Sequence, residues 1–241
     1  MIGSALDEQQ LLEQASQQLR GLLGEGWDIA PEAASRLPDL EIVDAIWGLR
    51  RSEGEASYGE ILVEAKRHLT PAAAANLTAR QLASLRLLSG QTVVVVAPWL
   101  SPRTREVLEE RGFGYLDLTG NILLRLDRPA IFIKTQGADE NPSPEPPGRR
   151  GFTGPRAARL VRQLVDFREP RRASELAAAT DLSEGYVSRL LDSMSDEALI
   201  GRSKDRLITK VDWRGLLRAR AASYQLMRAN HVAPAIARKG S

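Results

Sequence analysis

Two acidic residues and a lysine in the N-terminal half have the types and spacing of a site that could hold a metal ion. Glu64 and Lys66 lie two residues apart, so their side chains share one face if the segment is a β-strand. Turn-forming residues centred near Gly54 predict a hairpin in which Asp44 lies directly opposite Glu64. Carboxylates about 5 Å apart repel each other, and Mg²⁺, which prefers a few carboxylates plus water, would relieve that repulsion. The lysine could then orient or activate a water molecule, or stabilise charge on a phosphate.

Other residues compete with this interpretation. Asp39, in a Pro38-Asp39 pair, is a rival for the first acidic position, although it lies farther from the turn and pairs less well. Glu41 is a third candidate for the same position. A Glu-x-Lys triplet is also common by chance, so an ordinary ion pair at the end of a strand is the structural alternative.

A second set of residues, after residue 170, has the pattern of a nucleic-acid-binding surface. Ser183 is expected to cap a helix whose buried stripe contains Val187, Leu190, Leu191 and Met194. Helix-turn-helix proteins place the N-terminal polar face of such a helix in the major groove. That face is predicted to present Ser183, Glu184, Gly185, Tyr186, Ser188 and Arg189. Arg189 is expected to contact a guanine or a phosphate, and Tyr186 and Ser188 to contact phosphates.

A basic hairpin follows this helix. Arg202, Lys204 and Arg206 lie within five residues at its predicted tip, where a winged domain contacts the sugar-phosphate backbone or the minor groove. Each phosphate neutralised should steepen the salt dependence of log K by about 0.9. Arg172 completes the predicted DNA-binding residues. The alternative is a winged domain used only for protein contact.

The charge of the chain is divided unequally. Residues 148–241 contain 19 Lys and Arg and 10 Asp and Glu, a net of +9. The preceding 147 residues contain 14 basic and 21 acidic residues, a net of −7. The basic part therefore has the charge expected for a polyanionic partner, whereas the acidic part would repel DNA unless a metal ion or local basic residues offset its charge.

The elements expected to position the acidic residues and Lys66 alternate between helices and strands. Hydrophobic periodicity predicts helices over residues 6–23, 71–89 and 101–112 and strands over residues 40–49, 57–66, 92–97, 115–118, 122–126 and 130–134. This order predicts an α/β (α+β) domain with a mixed sheet. Asp117, Thr119 and Asn121 are interpreted as turn-forming residues between strands rather than as a site.

A Pro- and Gly-rich segment separates these elements from the basic part. After it, helices are predicted over residues 155–167, 173–180, 183–198 and 212–227, with a two-stranded ribbon over residues 199–211. We therefore predict an N-terminal domain over residues 1–137, a linker over 138–155, an α+β winged helix-turn-helix domain over 156–228 and a flexible tail over 229–241.

The N-terminal arrangement resembles the PD-(D/E)XK superfamily, which has the restriction-endonuclease-like fold. The resemblance implies that Asp44 is the first acid, Glu64 the second and Lys66 the lysine, with both acids as ligands of Mg²⁺. Gln81, on the next helix, lies where some of these nucleases place a helper glutamine. The segments ELA, LS, YVSRLL and LI of the basic part resemble MarR-like winged helix-turn-helix regulators. The whole layout resembles bacterial regulators that fuse a nuclease-like domain to a winged helix.

Several other classes of function are disfavoured. The chain has no cysteine, which excludes disulfides and thiolate metal sites, and His68 and His231 are too few for a convincing zinc site or hydrolase triad. No Gly-rich phosphate loop suggests a nucleotide cofactor. Without a signal peptide or a membrane-spanning segment, a cytoplasmic, nucleoid-associated protein is expected.

Together these features predict a sequence-specific regulator of transcription that binds double-stranded DNA as a homodimer. The nuclease-like domain would then serve for dimerisation, sensing or accessory DNA contact. The alternatives are a Mg²⁺-dependent DNA endonuclease targeted by its winged helix, and an antitoxin-like interaction protein.

Overall fold

The computed structural model describes residues 7–32, 43–51, 58–77, 92–143, 154–167 and 171–222. The chain divides into two compact units, Met1–Pro144 and Glu145–Ser241. None of the helices in the described ranges combines the length and the hydrophobicity needed to cross a membrane.

Unit 1 is built on a mixed sheet. Its described elements are α1 (Glu8–Leu23), β1 (Trp27–Glu32), β2 (Ala45–Arg51), β3 (Tyr58–Ala65), α2 (described over residues 71–77), β4 (Thr92–Ala97), α3 (Pro102–Glu110), β5 (Gly114–Asp117), β6 (Ile122–Leu126) and β7 (Ile131–Thr135). Within the described residues, seven strands follow each other across one sheet in the order of the sequence. The β3–β4 and β4–β5 pairs are parallel and the others are antiparallel, so the predicted mixed sheet is confirmed.

The sequence predicts the central strand β4 of this sheet but not the edge strand β1. β4 is flanked by β3 and β5, and four consecutive valines from Val93 to Val96 are buried, as expected for a strand covered on both faces. Edge strand β1, which pairs with β2, was not predicted. It contains Asp28 and Pro31, and proline is tolerated in strands mainly at sheet edges.

Helix α1 covers one face of the sheet. Asp7 caps it, because its Oδ1 accepts a hydrogen bond from Gln10 N at 2.7 Å and the Gln10 side chain accepts one from Asp7 N. Leu11, Ala15 and Leu19 are buried in one cluster with apolar residues of the sheet, among them Trp47, Ile61, Val94, Leu116 and Leu124. The core therefore lies between α1 and the sheet that includes β2, which follows Asp44, and β3, which contains Glu64 and precedes Lys66.

The first unit continues beyond residue 137, where the sequence analysis placed its end. Asn121 Nδ2 donates to Ala138 O at 2.9 Å, and Arg105 Nη2 donates to Asp139 Oδ1 at 2.7 Å. Trp99 Nε1 also donates to Ala138 O, at 3.2 Å. The start of the predicted linker is therefore hydrogen-bonded to unit 1.

Unit 2 contains helices followed by a hairpin. Its described elements are α4 (Gly154–Asp166), α5 (Ala173–Thr180), α6 (Glu184–Asp196), β8 (Ile200–Arg202), β9 (Ile208–Val211) and α7 (Trp213–Ala222). β8 and β9 are antiparallel, and Arg171, between α4 and α5, forms a further antiparallel bridge with Ile208. Apolar residues of every helix and both strands form one core, among them Leu160, Leu176, Leu191, Ile200, Ile208 and Leu216.

Candidate functional site

The three residues predicted to form a site in unit 1 lie together. Lys66 Nζ is 2.6 Å from Glu64 Oε1 and 3.6 Å from Asp44 Oδ2. The β2–β3 register pairs Ala45 with Val63, so its continuation places Asp44 opposite Glu64, as the position of the turn predicted. We call Asp44, Glu64 and Lys66 the carboxylate–lysine cluster.

Hydrogen bonds with the backbone hold Asp44 and Lys66 in place, and Glu64 lies within the β3–β4 pairing, opposite Val95. Asp44 N donates to Val63 O at 2.9 Å, and Asp44 Oδ2 accepts from Ala65 N at 2.7 Å. Lys66 N donates to Val96 O at 2.8 Å, which extends the β3–β4 pairing by one step. The cluster therefore lies where β3 and β4 end, on backbone that the sheet itself positions.

The electrostatics of the cluster keep the lysine charged. The Glu64 side chain is only 8 % exposed, whereas that of Lys66 is 35 % exposed. Burial lowers the pKa of Lys66, but the hydrogen bond and charge of Glu64 and the charge of Asp44 outweigh it, so the pKa lies above the ordinary value. Lys66 is consequently an ammonium ion at neutral pH, suited to orienting water or stabilising a phosphate rather than to accepting a proton.

The same residues have some of the chemistry needed to hold Mg²⁺. Glu64 and Asp44 supply carboxylates, and Mg²⁺ commonly uses one or two of these with water as the remaining ligands. The described residues contain no group of three or more His, Asp and Glu side chains placed to hold a metal ion. The Lys66 ammonium neutralises carboxylate charge here, so a cation would compete with it.

The remaining candidates from the sequence are placed as follows. The rivals for the first acidic position, the helper glutamine and the second histidine lie outside the described residues; they are Pro38, Asp39, Glu41, Gln81 and His231. His68 is exposed. The structure therefore brings together the three preferred residues and does not test the alternatives.

The polar residues after β5 form a structural network, as their interpretation as turn residues predicts. Asp117 and Asn121 are fully buried. The carboxylate of Asp117 accepts five hydrogen bonds from described residues, including one from Leu100 N at 3.0 Å and one from Asn121 N at 3.1 Å. Asn121 Oδ1 in turn accepts from Gly137 N at 2.9 Å and from Arg105. We call these contacts the Asp117–Asn121 network; they occupy the polar atoms of both side chains.

In unit 2, helix α6 has the two faces that the sequence predicts. Val187, Leu190, Leu191 and Met194 are buried, whereas Ser183, Glu184, Gly185 and Arg189 are exposed. Tyr186 and Ser188 are half-buried, and Tyr186 packs against the core of the unit. The prediction that the Ser183 hydroxyl caps the helix is wrong: Ser183 occupies the N-cap position, but its side chain makes no capping hydrogen bond.

The three predicted basic residues of the hairpin differ in accessibility. Lys204 and Arg206 are exposed, with 69 % of the Arg206 side chain accessible. The Arg202 side chain is only 13 % exposed, because its guanidinium lies 2.5 Å from the carboxylate of Asp192 on α6. The prediction placed Arg202 among the phosphate-contacting residues of the hairpin tip. In the structure its guanidinium contacts Asp192 instead.

Two further residues complete this surface. Arg172, the N-cap residue of α5, is exposed and donates its backbone N–H to Glu175 Oε2 at 2.9 Å. Asp192 was missed by the sequence analysis. Its position seven residues after Gly185 and three after Arg189 places it on the same exposed face of α6, which was the available signal.

Comparison of the chain with protein-family models, with curated proteins and with solved structures found no match. The functional interpretation therefore depends on the geometry of the carboxylate–lysine cluster and of the α6 and hairpin surface. These lie in different units, and each is interpreted from its own contacts.

Proposed function

We propose that this chain is a sequence-specific regulator of transcription that binds double-stranded DNA through unit 2. The observation that carries the proposal is the order of elements: α4, a bridging residue, α5, α6 and the β8–β9 hairpin. This is the order of a winged helix-turn-helix of the MarR-like kind, in which α6 would be the recognition helix and the hairpin the wing.

The surface chemistry supports the same proposal. Arg189 lies one helical turn after Gly185, and both residues are exposed on the same face of α6. This face therefore combines a position without a side chain, at Gly185, with a long cationic side chain, at Arg189. An arginine in the major groove can form a bidentate contact with guanine. Lys204 and Arg206 would contact phosphates beside it, and the net charge of +9 over residues 148–241 would attract the duplex.

Unit 1 would have an accessory role in this proposal. We propose a restriction-endonuclease-like fold for it, supported by the mixed sheet and by the carboxylate–lysine cluster at the ends of β3 and β4. It would support dimerisation or add DNA contacts, and a homodimer would place two recognition helices on two half-sites.

Selection from a random duplex library tests the DNA-binding proposal. The full chain is incubated with the library, bound duplexes are recovered over several rounds, and affinities for the enriched and random duplexes are compared by fluorescence anisotropy. The proposal predicts an enriched motif bound at least about a thousandfold more tightly than random duplex. Equal affinity for both duplexes, or no binding to either, would contradict it.

A Mg²⁺-dependent DNA endonuclease is the second candidate, and the 2.6 Å contact between Lys66 and Glu64 beside Asp44 favours it. Asp44 and Glu64 would hold the metal ion, which would activate a water molecule and polarise the scissile phosphate. Lys66 would stabilise charge on that phosphate. The net charge of −7 before residue 148 opposes DNA approach to this unit.

Plasmid cleavage separates the two candidates. Supercoiled DNA is incubated with the full chain and Mg²⁺ or Mn²⁺, beside Glu64→Gln and Lys66→Ala. Glu60→Gln, four residues earlier on β3, is the matched control. Nicking by the wild type and Glu60→Gln, but not by the other two variants, would establish the endonuclease. Equal nicking by all four proteins would indicate a contaminant, and no nicking would leave only the regulator.

A further inference from the structure

Two arginines of the hairpin share one carboxylate on the helix beside it. Asp192 Oδ1 lies 2.5 Å from Arg202 Nη1 and 3.3 Å from Arg206 Nη2. We call Asp192, Arg202 and Arg206 the wing–helix ion cluster. Its ion pairs join the hairpin to α6, so it connects the two elements of the proposed DNA-binding surface.

The backbone of the hairpin directs the two arginines. A register irregularity between Gly201 and Arg202 interrupts the β8–β9 ladder, and such irregularities re-aim side chains. Arg206 adopts a φ of 59°, and its N–H donates to Ser203 O at 3.0 Å. Ser203 N donates to Leu207 O at 2.9 Å, which closes the tip. The arginines are therefore held by a hydrogen-bonded turn rather than by chance rotamers of a loose loop.

The two arginines are not equally available to a ligand. Arg202 is mostly buried, and its Nε is shielded from solvent without a hydrogen-bond partner among the described residues. Arg206 remains largely accessible, so its contact with Asp192 leaves much of its guanidinium open to solvent. Asp192 itself lies on the face of α6 that carries Arg189.

We propose, on the basis of the DNA-binding function proposed above, that Asp192 is a positioning residue for DNA recognition. It holds the hairpin against α6 and withdraws Arg202 from the set of phosphate contacts, which leaves Lys204 and the open side of Arg206 to make them. Phosphate contacts supply affinity for any sequence, so withdrawing one lowers both the affinity for every duplex and its salt dependence, while the base contacts of Arg189 are retained. Asp192 thereby limits the number of phosphates that the hairpin contacts, and with it the sequence-independent part of the affinity.

The salt dependence of binding to a random-sequence 24-base-pair duplex tests the proposal. Asp192→Asn should steepen the slope of log K against log salt by about 0.9, and raise the affinity at 0.1 M salt about eightfold, because Arg202 gains a phosphate. Asp205→Asn is the matched control: it removes the same charge from the hairpin tip, where Asp205 is exposed and makes no ion pair with a described residue. Its slope should stay within about 0.3 of the wild type, since no arginine is released.

Arg202→Ala, made in two backgrounds, decides whether Arg202 contacts phosphate. In the wild-type background Arg202→Ala should leave the slope unchanged, whereas Lys204→Ala should reduce it by about 0.9. In the Asp192→Asn background, Arg202→Ala should abolish the gain. Urea unfolding and circular dichroism check that each variant is folded, and the Arg202→Ala arm decides the proposal even if Asp192→Asn does not fold.

Three results would overturn the proposal. Arg202→Ala alone could reduce the slope as much as Lys204→Ala, which would make Arg202 a phosphate contact. Asp192→Asn and Asp205→Asn could change the salt slope equally, which would mean that Asp192 affects binding only through its negative charge and not by holding Arg202. A wild-type chain that binds no duplex at all would overturn the DNA-binding function as well, whereas either of the first two results would leave that function intact.

Discussion

Replacement of Asp117 tests whether the polar residues after β5 are structural. The side chain is fully buried, and it accepts hydrogen bonds from Leu100 N and Asn121 N, which are themselves on fully buried residues. Asp117→Ala would leave these two N–H groups unsatisfied, and each such loss costs about 1–3 kcal/mol. The half-exposed Thr119 can hydrogen-bond to water instead. We therefore expect the free energy of unfolding to fall by about 2–6 kcal/mol.

Urea unfolding followed by circular dichroism measures this loss. Asp127→Ala is the control, because Asp127 is exposed and is expected to change stability by less than about 0.5 kcal/mol. The loss of unfolding free energy for Asp117→Asn should lie between those of Asp127→Ala and Asp117→Ala, because an amide keeps the shape of the side chain but presents its NH₂ group to neighbouring donors. A loss below about 1 kcal/mol for Asp117→Ala would refute the structural assignment of the Asp117–Asn121 network and make Asp117 a candidate for a functional site.

Three further predictions concern the two units. Because the pKa of Lys66 is raised above 10.5, the stability it contributes is complete below that pH and is lost as pH rises through the folded-state pKa. The difference in unfolding free energy between wild type and Lys66→Met should therefore be constant below pH 10.5 and shrink as the pH rises above it, as measured by urea titration. Gly114→Ala should destabilise by about 1–3 kcal/mol, because a Cβ there would lie 2.7 Å from Leu123 O, whereas Gly21→Ala in helix α1 should stabilise by about 0.5–1 kcal/mol. Arg172→Ala should reduce the salt slope of non-specific DNA binding by about 0.9 in anisotropy titrations.

The local features of both candidate surfaces could be predicted from residue order. The turn predicted near Gly54 implies which residues of the antiparallel pair are opposite, so Asp44 and Glu64 could be matched from the sequence, and the β2–β3 register agrees. Helical spacing likewise separated the buried stripe of α6 from its exposed face. These features depend on periodicity and on short separations along the chain.

Contacts between distant elements could not be predicted in the same way. The pair between Asp192 and Arg202 depends on how the hairpin irregularity directs a side chain, which no spacing rule specifies. The attachment of Ala138 to Asn121 joins residues 17 apart, and a composition rich in Pro, Gly and charge suggested only a linker there. Strand β1 was missed because its pairing with β2 outweighs the weak β propensity of its own residues.

The most direct test of the proposed function is the affinity of Arg189→Ala for the duplex that the wild-type chain selects. Arg162→Ala is the matched control, because Arg162 is an exposed arginine of unit 2 on helix α4, outside the proposed DNA-binding surface. Loss of a base contact by Arg189 should weaken binding by about 1–3 kcal/mol, or about 5- to 150-fold, and relax selectivity at one base pair, while Arg162→Ala stays within about twofold of the wild type. If Arg189→Ala binds the selected duplex as tightly and as selectively as Arg162→Ala, helix α6 does not recognise bases in the way proposed.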